Sequence, residues 1–276
     1  MANKKPVDKN SSTFTPWEEA TISNDFMFSK VMTDKELCRD ILRRILPELN
    51  IQEIEDVQTQ KSLKHYYDSK GVRLDAYVCD DQGTRFDIEM QVATNMNIPK
   101  RSRYYGSMMD VNELLSGMDY EDISDSYVIF ICTFDLFDKG RYVYTFKNIC
   151  IEDNDQYLND GSTKIFLNTK GHVGEIDEQL KGFLDYVDGK SPGDDELLRR
   201  LDDAVIEARK SETWRGEYMT YKEIERRGYL QGKSEGKEEG VTETKSYDVE
   251  EIRKASSEGL ISPDVAEKLI SRISNK

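Results

Sequence analysis

Acidic side chains with a spacing suited to chemistry occur in two neighbouring strand-like segments. Asp75 lies in the first segment, and Asp87, Glu89 and Gln91 lie in the second. Residues two apart in a strand share a face, so the last three side chains point the same way. Carboxylates that meet on one face repel each other unless a cation joins them, and hard divalent cations prefer oxygen ligands. The pattern indicates either a divalent-metal site or the ordinary solvent-facing side of a half-exposed hairpin.

Alternating apolar residues predict the elements that position these side chains. Residues 72–78 and 85–92 form two strands joined by an Asp/Gly-rich turn, which predicts a hairpin. Residues 127–134 are almost continuously apolar, as in a strand covered on both faces. Further elements are one or two helices between residues 25 and 46, a helix at 100–118, and strands at 142–146 and 164–168. This order predicts an α/β domain with a mixed central sheet.

Changes in composition divide the chain into four parts. Residues 1–20 are polar and predict a flexible arm, and residues 21–190 form the α/β domain. Residues 191–245 predict a charged helical extension, and residues 246–276 a small helical tail, with a DNA-reading helix-turn-helix as the weaker alternative. The extension carries a glycine every four residues, namely Gly228, Gly232, Gly236 and Gly240. These glycines predict either a helix face that pairs with another copy in a homo-oligomer, or a flexible linker.

Composition excludes several protein classes. The net charge of −15, from 39 Lys and Arg against 54 Asp and Glu, argues against a protein that coats nucleic acid electrostatically, although a local basic rim stays compatible. No apolar run approaches the ~20 residues of a membrane span, and the N-terminus has no hydrophobic signal core, so we expect a soluble cytoplasmic protein. The four cysteines are isolated and the histidines number two, which excludes a structural zinc site. P-loop, dinucleotide-binding and HExxH patterns do not occur, so NTPases, dehydrogenases and zincins have no support in the sequence.

The hairpin string VRLDAYVCDDQGTRFDIEMQ resembles the core of the recombination-promoting nuclease (Rpn) family, also described as PD-(D/E)xK nuclease family transposases. The strings NDFMFSKVM, IPKRSRYYGSMMD and YVIFICTFDLF, together with the glycine-spaced tail, extend the resemblance over roughly residues 21–240. It implies a restriction-endonuclease-like fold, with the mixed central sheet flanked by helices, and Mg²⁺-dependent cleavage of DNA, associated with recombination or transposition-like events.

The resemblance also implies roles for individual residues. Asp75 matches the first acidic residue of the family pattern and Glu89 the second, and both would bind Mg²⁺ together with the backbone carbonyl of Met90. Gln91 stands where the wider superfamily has lysine, although the closer family tends to carry glutamine. Glutamine can orient a water molecule but supplies no charge. The alternative is therefore a catalytically weak or inactive nuclease-fold protein that acts as an oligomeric interaction module.

A basic stretch follows the hairpin. Arg101 and Tyr105 are four residues apart and share a helix face, and Lys100 and Arg103 make the stretch suitable for phosphate contact. The resemblance favours a helix beside the metal site, with Arg101 and Tyr105 directed at the substrate. The alternative is a solvated basic turn.

Two other acids have two interpretations each. Asp87 is either an outer ligand of the metal or a solvent-facing or structural residue. Asp25 is either a remote contributor to metal binding or an acid favoured at a helix start.

Overall fold

The computed structural model describes residues 15–64, 67–68, 70–93 and 97–274. Two compact units divide the chain between Arg215 and Gly216. The strands are β1 Ile54–Leu63, β2 Val72–Asp80, β3 Arg85–Gln91, β4 Ser126–Cys132, β5 Val143–Phe146 and β6 Ser162–Asn168. The α-helices are α1 Asp25–Val31, α2 Lys35–Ile45, α3 Ile98–Glu113, α4 Glu178–Val187, α5 Glu196–Lys210, α6 Glu212–Ser257 and α7 Pro263–Ser274.

The six strands form one mixed sheet in the order β1-β2-β3-β4-β6-β5. Strands β1, β2 and β3 are successive antiparallel neighbours, while β3, β4 and β6 run parallel. Strand β5 closes the far edge antiparallel to β6. The predicted α/β class with a mixed sheet flanked by helices is therefore confirmed, and the sheet and helices are those of a restriction-endonuclease-like fold.

Local hydrogen bonds close the hairpin between β2 and β3. The carboxylate of Asp80 accepts from the backbone N–H of Gln82 at 3.0 Å and of Thr84 at 2.8 Å. Gly83 has φ of 85°, a left-handed conformation that glycine adopts without a Cβ clash. The turn thus fixes the register that places Tyr77 opposite Asp87 and Ala76 opposite Ile88.

Both faces of the central strands are covered. Neighbouring residues along β3 point to opposite faces, and Phe86, Asp87, Ile88 and Glu89 are all buried. Helix α3 contacts β2 and β4, and helix α1 contacts β1, β2 and β3. The solvent-facing interpretation of the hairpin is therefore wrong, because α3 packs over the face that carries the acids.

The predicted flexible arm at residues 1–20 falls mostly outside the described residues, which begin at residue 15. Its last part is packed into the first unit: Trp17 is 1% exposed, and its ring meets Phe26 edge-on at 5.9 Å. The indole N–H of Trp17 also donates to the backbone carbonyl of Arg209 at 3.1 Å. The folded unit therefore includes Trp17. Burying its large aromatic side chain is more favourable than leaving it exposed to water in a flexible arm.

The α/β unit also extends past residue 190. Helix α5 packs against α1, α2 and α4 through an apolar stripe comprising Leu197, Leu198, Leu201, Val205 and Ala208. At its start, both guanidinium Nη atoms of Arg44 donate to the carboxylate of Asp195, at 2.8 and 3.0 Å. The boundary predicted near residue 190 is therefore wrong, because the stripe needs the core of the first unit for its burial.

The second unit is helical. The four spaced glycines lie within α6, and apart from their chain neighbours and the nearby backbone of the helix itself, no described atom comes within 4 Å of a Cβ built on any of them. The helix alternative is thus observed in place of the linker, and pairing of copies through this face stays a prediction. The tail at 246–276 begins inside α6 and continues as α7 after a break. Among the described residues, no helix combines the length and the apolar composition needed to cross a membrane.

Candidate active site

Asp75 and Glu89 meet where the pairing of β2 with β3 ends. The backbone register stops at Ala76 opposite Ile88, and side chains replace the ladder beyond it. The N–H of Asp75 donates to Glu89 Oε1 at 2.9 Å, and the N–H of Met90 donates to Asp75 Oδ2 at 3.2 Å. The end of the hairpin therefore brings the two carboxyl groups, 14 residues apart in sequence, into one cluster.

A backbone oxygen is directed toward the same gap. In an extended strand the N–H and C=O of one residue point to the same side. Because the N–H of Met90 reaches Asp75, its carbonyl also faces β2. Within the described ranges, no three His, Cys, Asp or Glu side chains are grouped as metal ligands. The donor set that fits a cation is therefore two carboxylates and one carbonyl, which is oxygen chemistry suited to Mg²⁺.

Asp87 is a third carboxyl on this face, and it is completely buried. No donor among the described residues reaches either of its carboxylate oxygens. Its polar neighbour is the carboxyl group of Glu89, with which a hydrogen bond exists only if one of the two is protonated. An orphaned buried carboxylate costs stability, and a cation or a shared proton removes that cost.

The electrostatics of the three carboxyl groups agree with this reading. Burial raises the pKa of Asp75 well above its usual range, and the charges of Glu89 and Asp25 raise it further. Burial and the charge of Asp75 raise the pKa of Asp87, and burial and the charge of Asp87 raise the pKa of Glu89. The cluster is thus unfavourable when all its members are ionised, and positive charge delivered to it is stabilising.

Arg101 brings the nearest positive charge. Its Nη2 donates to Glu89 Oε2 at 3.3 Å and to the hydroxyl of Tyr105 at 3.0 Å. The guanidinium carbon lies 5.2 Å from the ring centroid of Tyr105 and 5.5 Å from that of Phe130. Stacking on two rings holds the guanidinium over the carboxyl cluster. The helix predicted beside the site is therefore present, and it carries Arg101 and Tyr105 to the acids.

Gln91 is fixed at both ends of its amide. Its Oε1 accepts from Arg101 Nη1 at 3.0 Å, and its Nε2 donates to the carbonyl of Ala93 at 2.9 Å. One amide hydrogen of Gln91 is left over by these two bonds. A guanidinium thus stands beside the amide at the position where the wider superfamily has a lysine charge.

Sequence reasoning missed one contributor, Gln60 of β1. Its Nε2 donates to Asp75 Oδ1 at 3.2 Å, so that both oxygens of Asp75 have donors. The φ of Gln60 is 52°, a left-handed value in the middle of a strand. Neighbouring residues in a regular strand point to opposite faces of the sheet. Here both Gln60 and Lys61 reach the same face, because Gln60 contacts Asp75 and Lys61 Nζ lies 3.7 Å from the ring centroid of Tyr77. No feature of a single polar glutamine signals this in the sequence.

Comparison with known proteins identifies one match. A family model described as PD-(D/E)XK nuclease family transposase matches residues 22–181, which is more than half of the 276 residues. The matched range contains the whole sheet and every side chain of the cluster described above. No curated protein and no solved structure matches the chain.

The orphaned carboxylate yields a stability prediction. We expect Asp87→Asn to raise the free energy of unfolding by about 1–3 kcal/mol at pH 8 in EDTA, because the amide removes a buried charge without a donor. A carboxyl group whose pKa is raised by folding stabilises the fold below its unfolded pKa of ~4, and that contribution is lost as the pH rises through the folded pKa. The gain should therefore shrink toward pH 5 in urea denaturation.

Asp80→Asn is the matched control for this experiment. Asp80 is a buried acid of the same hairpin, but its carboxylate accepts two backbone hydrogen bonds that an asparagine oxygen can keep. We expect no gain in stability from this substitution. An Asp87→Asn protein that is no more stable than wild type at pH 8 would contradict the orphaned state of Asp87.

The left-handed backbone of Gln60 yields a second prediction. Gln60→Gly should be more stable than Gln60→Ala by about 1 kcal/mol, because both lose the amide but only alanine keeps the steric penalty of a positive φ. At Gln58, in regular register with Tyr77, the order should reverse, since glycine weakens a regular strand. Urea midpoints of the four variants measure both differences, and the same order at both positions would refute the strained conformation.

Proposed function

The chain belongs to the PD-(D/E)XK nuclease family transposases, and from this membership and the geometry of the cluster we propose that it is an endonuclease that hydrolyses phosphodiester bonds of DNA with Mg²⁺. Asp75, Glu89 and the carbonyl of Met90 would hold the ion. The observation that carries the proposal is the burial of three carboxyl groups at the end of β2 and β3, where one of them lacks any donor among the described residues.

The residues of the chain divide the work. When bound, the ion polarises the scissile phosphate and lowers the pKa of a water molecule. Asp75 is held at both oxygens by Gln60 and Met90, so its position is set before any ligand arrives. Gln91, held by Arg101 and Ala93, has one free N–H with which it orients the attacking water.

Arg101 and Tyr105 contact the substrate in this proposal. The guanidinium of Arg101, which pairs with Glu89 at 3.3 Å, would also donate to a phosphate oxygen, for which its planar fork is suited. Burial raises the pKa of Tyr105, so its hydroxyl keeps a proton to donate to the phosphate. Both groups add favourable interactions where negative charge develops in the transition state.

The alternative, an inactive nuclease-fold module, meets a physical objection. Three carboxyl groups buried together, of which Asp87 has no donor among the described residues, cost stability, and a protein that only binds others gains nothing from keeping them. The guanidinium of Arg101 also places a positive charge beside Gln91, at the position where the wider superfamily has a lysine. Association with recombination or transposition-like events is proposed from the family description alone.

Nicking of supercoiled plasmid tests the proposal. Wild type should nick the plasmid with Mg²⁺ and be inert in EDTA. The nicking rate should fall more than about 100-fold in Asp75→Ala, Asp75→Asn and Glu89→Ala, because each variant loses a carboxylate that would bind the metal. Asp80→Asn, a buried acid away from the cluster, should keep wild-type activity. Circular dichroism of each variant is the control for its folding.

An inert folded wild type, or nicking that all variants share, would refute the endonuclease proposal. The first result would leave the interaction-module alternative, and the second would reveal a contaminating nuclease.

A further inference from the structure

Positive charge is concentrated in two short segments of an otherwise acidic chain. Residues 61–73 and 97–104 contain seven Lys and Arg against the single acid Asp68, whereas the whole chain has a net charge of −15. The first segment joins β1 to β2, and the second is the beginning of α3. These two segments are therefore positively charged, whereas the chain as a whole is negatively charged.

The fold brings the two segments together. The hydroxyl of Tyr104 on α3 donates to the backbone carbonyl of Lys70, between β1 and β2, at 2.6 Å. Ser62 of β1 pairs with Arg73 of β2, which places Arg73 on the hairpin that β1 and β2 form. We define the basic hairpin surface as the exposed cations of these segments, namely Lys64, Lys70, Arg73, Lys100 and Arg103.

Most of these cations have no internal counter-charge. Within the described residues, Lys64, Lys70, Lys100 and Arg103 form no ion pair. Some exposed lysines elsewhere in the first unit do form ion pairs, for example Lys170 with Asp188 at 2.6 Å. These four cations therefore contribute little to folding and remain available to an external anion.

Helix α3 carries residues of the basic hairpin surface and also a residue that contacts the carboxyl cluster. Lys100 and Arg103 flank Arg101, which donates to Glu89, and Tyr104 precedes Tyr105. Tyr67, between β1 and β2, is 98% exposed, and Lys64 Nζ lies 5.5 Å from its ring centroid. An exposed aromatic among cations is typical of surfaces that follow a nucleic-acid strand.

We propose that the basic hairpin surface binds the phosphodiester backbone of DNA on the path that leads to the carboxyl cluster. This inference rests on the proposed function, because it assigns a path to the same substrate. A polyanion with regularly repeated charges fits several unpaired cations that lie side by side better than a single anion does. The acidic remainder of the chain repels DNA, so this surface also decides which way the substrate approaches.

Salt-dependent binding of a fluorescent duplex tests the inference. The probe is a duplex of about 25 base pairs, titrated in EDTA so that it is not cleaved, with a single strand of the same length in parallel. In Lys64→Ala/Lys70→Ala, the Kd should rise more than about tenfold near 0.1 M salt, and the slope of log K against log[salt] should fall by about 2. The backbone carbonyl that binds Tyr104 is kept in this variant.

Lys139→Ala/Lys147→Ala is the matched control, since these exposed lysines flank β5 at the opposite edge of the sheet from β1. Its Kd and slope should equal those of wild type. Equal weakening in both double variants would overturn the inference, as would unchanged binding by Lys64→Ala/Lys70→Ala. Wild type should elute from a poly-glutamate column at lower salt than from a DNA column. Elution in the reverse order would indicate an acidic protein partner and overturn the inference.

Plasmid nicking by wild type separates this inference from the proposed function. If wild type nicks DNA with Mg²⁺ but Lys64→Ala/Lys70→Ala binds the duplex as tightly as wild type does, the proposed function stands and the assignment of the basic hairpin surface fails. If wild type neither binds nor nicks, both fail together.

Discussion

Three carboxyl groups buried side by side are the constraint on which the rest of this structure depends. Asp75, Asp87 and Glu89 are at most 7% exposed, and each raises the pKa of another member of the cluster. In isolation such a cluster destabilises the fold, and the single guanidinium of Arg101 reaches only one of the three among the described residues. This burial supports the proposal that the surroundings form a preformed receptor for positive charge.

The fold builds this receptor from elements that are separate in sequence. The tight turn at Asp80 sets the register of the hairpin, and the ladder ends where Asp75 and Glu89 begin to bond to backbone N–H groups. Strand β1 adds Gln60 through a left-handed residue, and α3 covers the face and supplies Arg101. Each element thus either holds a carboxylate in place or limits its access to water.

The sequence predicted the parts of this arrangement that depend on local pattern. Alternation along the hairpin placed Asp75, Asp87 and Glu89 on polar faces, and helical spacing placed Arg101 with Tyr105. What covers that face is a tertiary property, which the alternation within one hairpin does not encode. Strand β1 was missed because its residues are mostly polar, as suits an edge strand with half-exposed positions. Helix α5 lies beyond the break that Gly189, Pro192 and Gly193 predict, so the sequence assigns it to the extension although its apolar stripe packs on the core.

The free energy of unfolding as a function of divalent cation concentration tests the central claim most directly. In urea denaturation at pH 8, Mg²⁺ or Mn²⁺ at ~100 times its Kd should stabilise wild type by about 2.7 kcal/mol, because the ion binds only the folded cluster. Glu89→Gln should abolish this increase. Unchanged stability of wild type in millimolar Mg²⁺ and Mn²⁺, or an equal increase in Glu89→Gln, would contradict a cation receptor formed by these carboxyl groups.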